Sequence, residues 1–106
     1  MKTIITGFFF LGCTAAGLAA ADATTGKAAY DKSCRSCHGA DGSGNPAVAK
    51  MMKVDLDSLG SKEVQARSDS DLKKVITDGK GKMKPVAAVT GGALDDVVAW
   101  LRTMKK

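Results

Sequence analysis

Between residues 94 and 101 the apolar side chains fall at Leu94, Val97, Val98 and Leu101, a spacing of three and four that draws one stripe along a helix. Thr90 or Gly92 can start it, Asp95 and Asp96 fall in its first turn, and Lys105 and Lys106 close it, the charge order that a helix dipole favours. A second stripe, Leu72, Val75 and Ile76, follows Ser68, which stands three residues before Asp71 as in a capping box, and Gly79 stops it. Near the other end, Thr24 or Thr25 can cap a helix that carries Ala28, Ala29 and Tyr30 towards Cys34. Residues 39 to 46 hold three glycines and a proline, which no regular element tolerates, and a short apolar helical piece follows from Ala47 to Met52. The stretch after Met52 reads as irregular, and residues 79 to 92, with two glycine pairs and Pro85, form another loop. No segment alternates with period two. The pattern predicts an all-α domain of three to four short helices joined by glycine-rich loops.

The first residues follow a different rule. Lys2 supplies a positive start, Ile4, Ile5, Phe8, Phe9, Phe10 and Leu11 an apolar run, and small residues lead to Ala19-Ala20-Ala21. The run is short for a bilayer span, and the order of charge, apolar core and small-residue exit is that of a secretory signal peptide, residues 1–21, cut before Asp22. A cut after Ala23 fits almost as well. A buried N-terminal helix, the competing reading, leaves the positive start and the small-residue exit without a purpose. Leu11-Gly12-Cys13 also resembles the end of a lipoprotein box, although Phe10 stands where leucine is preferred; lipid on Cys13 would tether the chain to a membrane. Residues 22–106 are the domain proper, and export makes it periplasmic, membrane-tethered only if Cys13 is lipidated.

Composition changes the picture once residues 1–21 are set aside, because they contain all three phenylalanines. The remaining 85 residues carry 20 large apolar side chains, with Tyr30 and Trp100 the only aromatics. A domain of this size buries about 60 to 65% of its unfolded surface and commonly needs a disulfide, a metal or a prosthetic group to hold it together. Its cysteines are Cys34 and Cys37, in Cys34-Arg35-Ser36-Cys37-His38. This C-x-x-C-H run is the attachment signature of c-type haem: two thiols separated by two residues add to the two vinyl groups of one haem edge, and the next residue brings an imidazole to the iron. A structural zinc site needs four ligands, and residues 22–106 offer no Cys or His beyond Cys34, Cys37 and His38. A redox dithiol needs a βαβ setting that the pattern lacks, and a Cys34–Cys37 disulfide closes too small a loop to stabilise much.

A thioether as the second iron ligand raises the potential into a range suited to electron transfer. The candidates are Met51, Met52, Met83 and Met104. Met104 lies in the C-terminal tail. Met51 and Met52 share a helical turn where a core role is expected. Met83 lies in a Gly- and Pro-bounded loop, 45 residues after His38, far enough along the chain to pass around a haem edge.

Over nearly all of residues 22–106 the chain resembles a small, single-haem class I cytochrome c. The resemblance rests on Gly26 and Tyr30, on Cys34 to Gly39, on Gly42, Gly44 and Pro46, and on Asp55-Leu56. It continues through Ser68 to Leu72, Ile76, Gly79 to Met83, and Val97 to Leu101. It implies an all-α fold wrapped around one haem c, covalently attached through Cys34 and Cys37, with His38 and Met83 as axial ligands. It further implies that the Pro46 carbonyl receives the ring N–H of His38, and that Gly26 lets the first and last helices cross with Tyr30 and Trp100 nearby. Lys84 departs from the pattern, which places proline directly after the ligand methionine; here Pro85 comes one residue later.

The function expected is one-electron transfer outside the cytoplasm by a monomer that is not an enzyme. An open-iron haem domain, peroxidase-like or gas-sensing, would need a distal acid or base, and residues 22–106 have no second histidine. A small subunit of a larger redox complex is the third reading. Without residues 1–21 the net charge is +4, and Lys32, Arg35, Lys80, Lys82 and Lys84 lie close in sequence to the proposed ligands. They either ring an exposed haem edge and steer redox partners with acidic docking surfaces, or simply solvate the loops. Nucleic acid is not an expected partner.

Overall fold

The computed structural model describes residues 21–106, so the readings of residues 1–20, Cys13 included, lie outside the described residues. Six helical segments follow one another: α1 (Ala23–Ser33), α2 (Arg35–His38), α3 (Pro46–Met52), α4 (Lys62–Gln65), α5 (Asp69–Asp78) and α6 (Gly92–Arg102). Among the described residues there is no strand, and one isolated bridge pairs Lys80 with Met83. The all-α expectation holds, with more helical pieces than foreseen. The two additions, α2 and α4, are single turns of four residues, too short for a periodic stripe to form.

Several ends differ from the sequence reading. Asp22, not Thr24 or Thr25, caps α1, its carboxylate accepting from the backbone N–H groups of both threonines. Asn45 caps α3, with Pro46 at the first helical position, where a missing N–H costs nothing. Ser61 caps α4, and Ser68 caps α5 by accepting from the Asp71 N–H, as its spacing foretold. Gly91 precedes α6 without any side-chain cap, so Thr90 plays no part. The last helix ends at Arg102, and the residues after it are held: the Lys106 N–H donates to the Gly60 carbonyl at 3.2 Å, and the Met104 side chain packs on the core. The tail position that counted against Met104 is therefore a fixed one.

The core forms where α1 crosses α6. A Cβ on Gly26 would stand 1.8 Å from the Asp96 carbonyl oxygen, so only glycine lets the two backbones come this close. Tyr30, one turn on, is fully buried with Val97, and Leu72 and Ile76 of α5, Val89, Val98 and Leu101 complete the cluster. Trp100 packs against it half-buried, with the Lys27 ammonium 5.8 Å from the ring centroid. Arg102 clasps α4 and α5 to α6, its guanidinium donating to the Gln65 and Arg67 carbonyls and to the Asp69 carboxylate. Seven of the 20 large apolar side chains are buried, the thin core that the missing phenylalanines imply.

Candidate functional site

Cys34 ends α1 and caps α2, so the five residues from Cys34 to His38 make a single helical turn. The N–H groups of Cys37 and His38 both donate to the Cys34 carbonyl, at 3.3 and 3.0 Å. Residues three and four apart on such a turn share a face, which sets both thiols and the imidazole together. The Cys34 side chain is half-buried and Cys37 exposed, both as free thiols. Burial, and then the neighbouring Cys37, push the Cys34 thiol up to about 11.

His38 is half-buried, and burial lowers its pKa below that of a free imidazole. Its Nδ1 is buried with no hydrogen-bond partner. The bond expected from the resemblance, to the Pro46 carbonyl, is thus not made: Pro46 is the first residue of α3, and its carbonyl points along that helix. What holds the turn is backbone. The Gly44 N–H donates to the His38 carbonyl at 2.7 Å and the Asn45 N–H to the Cys37 carbonyl at 2.9 Å. The Asn45 side-chain amide adds a bond to the Ser36 carbonyl at 3.1 Å. From the other side, the Tyr30 hydroxyl donates to the carbonyl of Gly39, the residue after His38, at 2.6 Å. Burial pushes that phenol up to about 12. The Asn45 and Tyr30 bonds escaped the sequence reading; an Asn-Pro pair opening a helix is the one local signal that pointed to Asn45.

Met83 follows α5, in a turn that reaches the C-terminal end of α3 through Lys82. After α5 the chain turns tightly, the Lys80 and Met83 backbones exchanging hydrogen bonds at 3.0 and 2.9 Å around left-handed Gly81. Gly79 is left-handed too, and a Cβ there would meet the Met83 carbonyl oxygen at 2.5 Å and Pro85 at 3.0 Å. Pro85 thus closes over Gly79 although it comes one residue late, and Lys84 is exposed between them. The Met83 side chain is half-buried. Lys82 donates its ammonium to the Met52 carbonyl at the end of α3, the favoured place for a cation on a helix. Because Asn45 at the start of α3 bonds α2, this helix of about 10 Å bridges the Cys34-to-His38 turn and the Met83 turn. Met52 is half-buried, but Met51 is 75% exposed, which overturns the core role expected for it: Val48, Ala49 and Met52 form the inward face of α3 and Met51 lies opposite.

The donor set fits a haem. Two free thiols and the His38 imidazole come from one turn, and a thioether comes from a second loop tied to the same helix. Residues 21–101 match the family described as "Cytochrome C oxidase, cbb3-type, subunit III". The chain belongs to this family of c-type cytochromes. The cytochrome also resembles a solved structure, the KustC0563 c-type cytochrome, at 25% identity and a TM-score of 0.64, over 76% of this chain and 98% of that one. A comparison with curated proteins finds no match. Haem-based electron transfer is the chemistry of c-type cytochromes, and the class I all-α fold agrees with the structure of this one.

Proposed function

We propose that this cytochrome is an exported one-electron carrier that binds one haem c through thioether bonds from Cys34 and Cys37, with His38 and Met83 as the axial ligands. The observation that carries the reading is the helical turn that sets Cys34, Cys37 and His38 on one face. Bound haem supplies the Fe(III)/Fe(II) couple. The chain's own residues do the rest. Cys34 and Cys37 would fix one haem edge, and the Gly44, Asn45 and Tyr30 hydrogen bonds hold the backbone on both sides of His38. The Met83 turn, pinned by Gly79 and Pro85, offers a soft thioether sulfur, which would favour the reduced iron.

Export follows from the signal-peptide reading of residues 1–21, and no helix among the described residues is long and apolar enough to cross a membrane. The carrier acts as a monomer, is not an enzyme, and meets redox proteins with acidic surfaces. A second reading, a subunit of a larger redox complex, is favoured by the family's description as an oxidase subunit. Gel filtration of the native extract separates the two by size.

Optical spectra of the purified protein, oxidised and reduced, test the ligand set. The expected result is a c-type spectrum with the long-wavelength band of Fe(III)–thioether ligation. Met83→Ala abolishes that band and opens the iron to added imidazole or cyanide. If Met51→Ala or Met52→Ala does so instead, Met83 is not the ligand.

A further inference from the structure

We infer that the export cut falls between Ala21 and Asp22, and that the α-ammonium it creates on Asp22 forms an ion pair with Asp96 that fastens α1 to α6; this rests on the export reading above. The sequence leaves two cuts and one lipidation open. The structure separates the two cuts through what Asp22 does, and the mass measurement below decides against lipidation or for it. Its backbone N–H donates to the Asp96 carboxylate at 2.8 Å, across 74 residues of chain. Its own carboxylate accepts from the Thr24 N–H at 2.8 Å and from the Thr25 hydroxyl at 3.1 Å. Its carbonyl accepts from the Gly26 N–H at 2.9 Å. Every polar group of Asp22 is therefore committed, at the point where Gly26 lies against the Asp96 backbone.

A cut after Ala23 would discard this residue, leaving α1 to begin uncapped two residues before its closest approach to α6. Lipidation at Cys13 would keep residues 14–21 attached and leave the Asp22 nitrogen a neutral amide. Only hydrolysis of the Ala21–Asp22 bond both keeps the cap and charges the nitrogen. A leader peptidase that takes small residues at the first and third positions before the cut finds Ala21 and Ala19 there. Water is consumed, Ala21 leaves with the new carboxylate, and Asp22 keeps its nitrogen as an ammonium. The amide-to-carboxylate hydrogen bond becomes a charge-assisted one in the same place. An ammonium at a helix start opposes the helix dipole, and the Asp22 and Asp96 carboxylates offset that.

The mass of the holoprotein recovered from the export compartment reads the cut, and a thermal-melting cycle reads the pair. The mass is expected to start at Asp22 with one haem added. Holoprotein starting at Asp22 is expected to melt about 2 to 5 °C above the same protein preceded by Ala21, and Asp96→Asn in both is expected to erase that difference. A mass starting at Thr24, or one carrying lipid on Cys13, overturns the inference and leaves export standing. A mass that retains residues 1–21 overturns export and the inference together. Equal melting of the two starts, or a difference that survives Asp96→Asn, overturns the ion pair.

Discussion

Tyr30 does two things with one side chain. Its ring fills the crossing of α1 with α6, and its hydroxyl crosses to the Gly39 carbonyl and so fixes the chain immediately after His38. Tyr30→Phe keeps the ring and removes the bond, so the cost is that of one hydrogen bond, about 1 kcal/mol, with little change in core packing. The same burial sets a pH dependence. An ordinary phenol ionises near pH 10, and burial first, with Cys34 and then Asp41 and Asp31 after it, pushes this one up to about 12. A raised phenol means that the unfolded chain ionises first. Its contribution to stability is therefore complete below about pH 10 and is lost as the pH rises towards 12. Urea midpoints measured from about pH 8 to about pH 11.5 should fall above pH 10 in the native protein and fall less steeply in Tyr30→Phe. Parallel curves would mean that Tyr30 is not the group responsible.

At the scale of elements, the α1–α6 crossing depends on an absence of side chain. Because a Cβ at position 26 would stand 1.8 Å from backbone that cannot rotate away, Gly26→Ala must push the helices apart and strip contacts from Tyr30 and Val97. The expected loss is about 1 to 3 kcal/mol, read as a lower denaturation midpoint. A loss no larger than that of a change on the exposed face of α1, such as Lys27→Ala, would show that the crossing can relax. The stripes of α5 and α6 were legible because ten or eleven residues give a period room to repeat. The Ser68 cap and the Gly79 stop were legible because each is a local rule. What escaped depends on partners distant in sequence. Asp22 outcompetes two threonines as a cap because Asp96 fixes its backbone, and Met51 turns outward because α3 can present only one face to the core. The Cys34-to-His38 turn was legible as chemistry, whereas its helical geometry was not, since four residues carry no stripe.

Taken whole, the molecule pairs a small buried core with a charged surface, and both have consequences. Seven buried apolar side chains are few for 85 residues, and half-buried ones such as Val48, Met52, Val54 and Leu56 need something flat and apolar to complete their burial. Cys34→Ala with Cys37→Ala should therefore leave a chain without fixed tertiary structure, read as loss of a cooperative melt; a melt like that of the holoprotein would show that the side chains suffice. The surface argument turns on where the lysines lie. Lys32, Arg35, Lys80, Lys82 and Lys84 are all exposed, but Lys82 is already tied to the end of α3, so its charge is shared with a helix terminus. Lys80 and Lys84 flank Met83 without such a bond among the described residues, which leaves their charge free to act on a partner. Charge of this kind raises the encounter rate more than the final affinity, and at physiological salt it reaches about 8 Å. Lys80→Glu with Lys84→Glu should slow electron exchange with an acidic partner about tenfold at low salt and leave the optical spectrum unchanged, the difference shrinking as salt is added. Stopped-flow rates across an ionic-strength series measure this directly; rates indifferent to both salt and charge reversal would make these lysines ordinary solvated loop residues.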